Sequence, residues 1–176
     1  METHDQKRDE LLGLLTQSYS ACYNIVKPPE NAPKELAAFC VLDMTQSSYV
    51  LTKKNVLWSA DSHEYCYIFS TENFTKADYD RFLSFMRTDG LSHIKPGPGH
   101  MCSVLSMVIL CDSADEDAIK ALKRCRLHKS FRLSFYGWMN GRTALAELST
   151  GRIFANMSGH DNIKLLKQLM MHRDTR

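Results

Sequence analysis

The sequence predicts a single α+β domain, a mixed or mainly antiparallel sheet with helices packed on it, in the element order αβββαβαβββα. Three observations carry this expectation. Some stretches repeat their apolar residues at three- and four-residue spacing, and shorter runs are rich in β-branched and aromatic residues or alternate apolar with polar. Strands gather in groups between the helices instead of alternating strictly with them, which separates α+β from doubly wound α/β designs. No internal repeat or low-complexity segment divides the 176 residues, a length that buries a sizeable core without disulfide staples. Residues 1–35, a helix and a Pro-rich linker, are expected to pack on a core at 36–172.

Between about Asp5 and Tyr23, Leu11, Leu12, Leu15, Tyr19 and Cys22 line one helical face. Pro28-Pro29 and Pro33 then forbid its continuation. Leu36 to Leu42 reads as a strand, Ser48 to Trp58 as a strand or a bent hairpin broken near Lys53-Lys54-Asn55, and Glu64 to Ser70 as a third strand. Together they suggest a meander. Thr75 with Asp78 three residues on opens a second helix through Tyr79, Phe82, Leu83 and Met86, with Gly90 as its stop. The loop Lys95-Pro96-Gly97-Pro98-Gly99-His100 leads into Met101 to Cys111, nearly continuous Val, Leu, Met and Ile and therefore a strand buried on both faces.

Ser113 and Glu116 form a capping-box pattern before a short helix lined by Ala118, Ile119, Leu122 and Cys125. Phe131, Leu133 and Phe135 alternate with Ser130, Arg132 and Ser134 as in a strand with one wet face. Gly137-Trp138-Met139-Asn140-Gly141 carries the Asn-Gly pair of tight turns. Arg142 to Leu148 and Arg152 to Asn156 read as the last strands, and Asp161 as the cap of a final helix with Ile163, Leu166, Leu169 and Met170 facing inward.

The net charge of +2 implies neither nucleic acid nor an acidic surface, but residues 1–90 carry a net −4 and residues 91–176 a net +6. The polar start and the short longest apolar run, Val104 to Cys111 interrupted by Ser106, predict neither an export signal nor a membrane span, so no membrane partner is expected. Six scattered cysteines without a CxxC fit free thiols in a reducing cytoplasm.

Chemistry is sought first at His100, where Pro and Gly shape the loop and imidazole and the Cys102 thiol are zinc-ligand types. His93, His63, Cys66 and His128 would have to supply the remaining ligands, and no spacing demands it, so no metal site is assigned. Asp43, Asp61 and Glu64 beside the first strands suggest the divalent-ion carboxylates of a restriction-endonuclease-like nuclease, although the lysine that usually follows the last acid by two residues is missing. Lys123, Arg124, Arg126, His128, Lys129 and Arg132 form a basic run that fits a phosphate or an acidic partner, while no base-reading or stacking motif argues for nucleic acid. Trp138 and Arg142 stand where an indole and a guanidinium shape a pocket or an interface. GxSxG, Walker A, HExxH, EF-hand and GxGxxG patterns are all absent, so no motif names an enzyme class or a cofactor.

Short blocks add a family resemblance. Tyr49-Val50-Leu51-Thr52-Lys53, Leu57-Trp58, Glu64-Tyr65, Lys95-Pro96 with His100-Met101, Lys129-Ser130-Phe131, Gly137-Trp138 with Arg142, and Leu148-Ser149-Thr150-Gly151 with Asn156 follow one another in order. In these the chain resembles an uncharacterised bacterial family, a domain of unknown function. The resemblance implies a bacterial cytosolic protein and carries no activity or catalytic residue to transfer.

The expected function is therefore a cytosolic module that binds a small ligand or a protein partner, with Lys53, His100, Trp138 and Arg142 as its ligand-binding face. A metal-dependent hydrolase or nuclease-like enzyme using Asp43, Asp61 and Glu64 is the alternative. A homodimer through a sheet edge or the last helix is the third.

Overall fold

The computed structural model describes residues 4–49 and 56–174. Helix α1 (His4–Ser20) leads to strands β1 (Asn24–Val26), β2 (Leu36–Tyr49) and β3 (Val56–Phe74), followed by α2 (Lys76–His93), β4 (His100–Ala114) and α3 (Glu116–Lys123). Strands β5 (His128–Ser130), β6 (Trp138–Glu147) and β7 (Arg152–Ala155) precede a short 3-10 turn and α4 (His160–Asp174). All seven strands share one mixed sheet in the order β1-β2-β3-β4-β6-β5, with β7 also paired to β6. The β3-β4 and β4-β6 pairs are parallel, and the rest are antiparallel.

The parallel pairs follow from the helices between them, because returning to the same sheet direction requires a long crossover. Helices α2 and α3 cover one face over Phe39, Tyr67, Phe69, Met107, Ile109 and Leu145. Helices α1 and α4 cover the other over Cys40, Cys66, Ile68, Val108, Leu110 and Ala144. Strand β4 lies between two parallel neighbours and both helical layers, which explains its nearly continuous apolar run. The fold is thus an α+β sheet with helices on both faces.

The element order agrees with the sequence expectation, but through two differences that offset each other. The three strands expected over 36–70 are two long ones, β2 and β3, because Asp43 and His63, or Ser47 and Ser59, pair as well through their backbones as apolar residues do. Lys53 lies outside the described residues. The missing strand is supplied by β1, inside the stretch read as linker, whose three residues are all exposed and leave no periodicity to read.

Other boundaries moved for identifiable reasons. Helix α1 stops at Ser20 rather than near Tyr23, with Cys22 and Tyr23 closing a final turn on the Tyr19 carbonyl. The Thr75–Asp78 capping box forms as expected, yet Gly90 does not end α2. It is a contact residue instead: a Cβ there would lie 2.6 Å from a methyl of Leu105, so its absence lets α2 approach β4. The helix runs on to His93, before Lys95-Pro96 biases the chain away from helical angles.

Asp115, not Ser113, is the N-cap residue of α3, and the Ser113 hydroxyl donates to Asn73 instead. The strand expected over 131–135 is a turn in which Arg132, Leu133 and Ser134 have φ of 49°, 53° and 70°. Its true strand, β5, ends at Ser130, and the alternation that suggested more reflects Leu133 and Phe135 projecting into solvent. Asn140-Gly141 is strand rather than turn, since β6 already begins at Trp138. Asp161 falls inside the first turn of α4 rather than before it.

Candidate functional site

The positions singled out in the sequence fall on both faces of the sheet. On the α2 face, His100 is buried, its Nδ1 donating to the Tyr136 carbonyl at 2.8 Å while its Nε2 is paired with the Ser103 hydroxyl at 2.8 Å. Its ring stacks at 6.2 Å on His63 and meets Phe131 edge-on. Gly137, at φ +77°, fits beneath it only because a Cβ would lie 2.4 Å from the Met101 carbonyl oxygen and 2.5 Å from His100 Nδ1. The imidazole therefore fastens the 131–136 turn to the start of β4, with both ring nitrogens occupied.

The other histidines have separate partners: His63 with Asp43 at 2.6 Å, His93 with Asp89 at 3.1 Å, and His128 with Asn140 at 2.8 Å. Among the described residues no group of three His, Cys, Asp or Glu side chains is placed to hold a metal ion. The carboxylates of the nuclease-like alternative do not converge. Asp43 pairs across the strands with His63 and Leu42 with Glu64, so alternation along the strand sends Asp43 and Glu64 to opposite faces.

On the α1/α4 face the parallel strands bring together residues far apart in sequence. Ser106 on β4 lies directly beside Arg142 on β6, and Cys66, two residues after Glu64 on β3, lies beside Ser106 on its other side. Glu64, 9% exposed, accepts from the Ser106 hydroxyl at 2.5 Å and from the Arg142 guanidinium at 3.4 Å. Burial, and then the Glu64 charge, raise the pKa of the neighbouring Tyr23 hydroxyl. Burial raises the pKa of the Tyr19 hydroxyl, and complete burial, followed by the Glu64 charge, pushes the Cys66 thiol well above its ordinary value.

These side chains border a cavity of about 260 Å3 lined by Tyr19, Tyr23, Glu64, Arg142, Asp161 and Asn162, with Leu165 at its apolar side. Asn162 is buried, and its amide nitrogen has no acceptor among the described residues. Among the described residues Arg142 makes one long hydrogen bond, at one-third side-chain exposure. A buried acceptor and a partly buried cation thus face one small space, and Asn162, whose amide nitrogen is itself inaccessible, forms part of its wall. A larger cleft of about 460 Å3 lies between α2 and the connection after α3, and the charged residues on its walls, Asp80, Arg87 and Arg126, are all exposed.

Of the expected face, Trp138 and Arg142 share one side of β6 by strand alternation, and His100 belongs to the opposite side of the sheet. Tyr19, Tyr23, Ser106 and Asn162 were not anticipated. Ser106 had a visible signal, since it interrupts the apolar run of β4, and Glu64 and Arg142 likewise open apolar strands. Tyr19 and Tyr23 gave none, because an aromatic on a helical stripe reads as core.

The chain matches the family described as Domain of unknown function (DUF8052) over residues 7–168. No curated protein and no solved structure matches it.

Proposed function

The chain belongs to the DUF8052 family of domains of unknown function, and from that premise, which fixes no activity, we propose that it is a binding module for a small polar molecule bearing an anionic group. One observation carries the reading: Arg142 and Glu64, a guanidinium and a carboxylate, line the same small cavity. Sites for small molecules characteristically set a few polar groups in a mostly apolar wall. The Arg142 fork suits a carboxylate, while Glu64 and Asp161 can accept from a ligand's N–H or O–H groups. The volume suits a molecule of amino-acid size. The free state of all six cysteines, including Cys40 and Cys66 paired across β2 and β3, supports a reducing, cytoplasmic setting, and the bacterial assignment rests on the sequence blocks alone.

The experiment is a thermal-shift survey of aliphatic carboxylates, hydroxy acids and α-amino acids against the whole chain, repeated with Arg142→Gln and Asn162→Leu. A member of the panel is expected to raise the wild-type Tm by a few degrees through preferential binding to the folded state. Arg142→Gln should abolish the shift, and Asn162→Leu should weaken it. A panel without any shift, or one retained in full by Arg142→Gln, overturns the proposal.

A further inference from the structure

Leu133 and Phe135 are 91% and 81% exposed, at the tip of the turn that follows β5. Their presentation is built in. Arg132, Leu133 and Ser134 are three successive non-glycine residues with positive φ, a backbone form retained only where the surroundings impose it. The turn is closed by hydrogen bonds from Phe131 N to Gly137 O, from Tyr136 N to Phe131 O and from Gly137 N to Ser134 O, and by the Ser130–Ser134 hydroxyl pair. The His100 clasp holds its base. A strained, braced turn that directs two large apolar side chains into water gains nothing within the folded chain.

The chain on either side of it carries charge of one sign. No acidic residue occurs between Asp117 and Glu147, a stretch that holds Lys123, Arg124, Arg126, Lys129 and Arg132. Among the described residues none of these five cations forms an ion pair; Lys123, Lys129 and Arg132 instead lie over the rings of Phe154, Phe131 and Tyr136. An open basin of about 520 Å3 beside β5 is lined by Lys123, Arg126, His128, Asn140 and Met157, the last 94% exposed. His128 is two residues from Ser130, about 7 Å of extended chain, so basin and tip are neighbours on one edge of the sheet.

We propose that this edge docks on the anionic surface of a lipid bilayer, with Leu133 and Phe135 entering the boundary between headgroups and acyl chains and the five cations meeting lipid phosphates. The charge selects an anionic occupant. The small apolar area selects the bilayer, because two side chains offer far less than the roughly 800 Å2 per partner of a stable protein interface, whereas a few inserted side chains beside a basic surface suffice on anionic lipid. Surface association needs no spanning element, and among the described residues no helix is long and apolar enough to cross a membrane. The inference is independent of the ligand cavity, which lies on the α1/α4 face.

Co-sedimentation of the whole chain with large unilamellar vesicles tests it. At low salt the protein should pellet with vesicles of equal parts phosphatidylcholine and phosphatidylglycerol, remain in solution with phosphatidylcholine alone, and be released by high salt. Lys123→Gln/Arg126→Gln/Lys129→Gln should lower the partition coefficient on the order of 100-fold. Leu133→Ser/Phe135→Ser should lower it on the order of tenfold or more. All five side chains are exposed, so unchanged far-UV circular dichroism is expected of both variants and separates lost docking from lost folding. No pelleting with the anionic vesicles, equal pelleting with the neutral ones, or wild-type partitioning by either variant overturns the proposal. So does a concentration-dependent dimer that disappears with Leu133→Ser/Phe135→Ser, because the tip would then be a contact between copies.

Discussion

His100 spends both ring nitrogens inside the protein, on the Tyr136 carbonyl and the Ser103 hydroxyl, and what those bonds hold is the 131–136 turn. Removing the ring would leave the fully buried Ser103 hydroxyl without that partner and free the base of the turn. An uncharged hydrogen bond contributes about 1 kcal/mol net, while a buried group left without its partner costs about 1–3 kcal/mol. His100→Ala is therefore expected to lower the free energy of unfolding by about 2–4 kcal/mol in urea denaturation, with Ser103→Ala, which keeps the bond to the Tyr136 carbonyl, losing less, about 1–3 kcal/mol. An His100→Ala variant as stable as wild type would show that the clasp contributes nothing. The sequence marked this histidine through its Pro- and Gly-rich loop, and that loop gives a turn from Gly97 to His100 and a backbone bond from Asp61 to Gly99. Its partners were not legible, because Tyr136 contributes only a carbonyl, which every residue possesses. For the same reason the site on the other face was half visible: Glu64 and Arg142 are conspicuous by type, while their meeting depends on strand order, which no local pattern encodes.

At the scale of elements, local rules succeeded where one surface decides the outcome and failed where contact with another element does. The Thr75–Asp78 capping box and the stripe of Tyr79, Phe82 and Met86 located α2 because cap and stripe are properties of the helix itself. Gly90 was misread as a stop because the sequence reveals a missing side chain but not what lies against it. The structure puts Leu105 there, so Gly90→Ala brings two opposed effects. Alanine favours a helix by about 1 kcal/mol over glycine. The added methyl would lie 2.6 Å from Leu105 Cδ2 and 2.7 Å from Cδ1, and overpacking of that kind costs about 1–3 kcal/mol. The net expectation is a destabilisation of about 1 kcal/mol, in a helix position where alanine would otherwise stabilise. Combining it with Leu105→Val should recover part of that loss, so the double variant should be more stable than the sum of the single effects predicts. Strict additivity in a double-variant cycle would mean that the α2–β4 approach does not depend on this glycine. The turn at 131–136 failed as a strand for a related reason: its period-two alternation is real, but of its apolar side only Phe131 packs on the core while Leu133 and Phe135 are exposed, and β5 ends where its pairing with β6 ends, at Ser130 with Trp138.

For the whole molecule, ionic contacts tie the helices to the sheet. Glu35, just before β2, accepts two hydrogen bonds from Arg81 on α2, at 2.8 and 3.0 Å, and Asp78 takes a third from Arg81 at 2.8 Å. At the end of β6, Glu147 accepts from the Ala114 backbone at 3.1 Å and from Arg152 at 2.8 Å, with the Thr150 hydroxyl on the same carboxylate. The Arg81 hydrogen bonds hold the Glu35 carboxyl below its ordinary 4.5. Burial pushes Glu147 and Asp78 upward, but hydrogen bonds from Arg152, Thr150 and Ala114 in one case, and from Thr75 and Arg81 in the other, more than reverse it. All three carboxyls thus have folded pKa values below 4.5, 4.5 and 3.8, their ordinary values. Such a group contributes its full stability above the ordinary value and loses it as pH falls through the folded one, because the unfolded chain takes up the proton first. Stability should accordingly be nearly flat from neutral pH to about pH 5, and Tm should fall by roughly 5 °C or more between about pH 5 and about pH 3. Glu147→Gln should have a lower Tm than wild type at neutral pH and a shallower decline in acid, so that the two curves approach each other as pH falls. Curves that stay parallel throughout would assign the acid sensitivity to other groups and leave Glu147 a hydrogen-bond acceptor whose charge is immaterial.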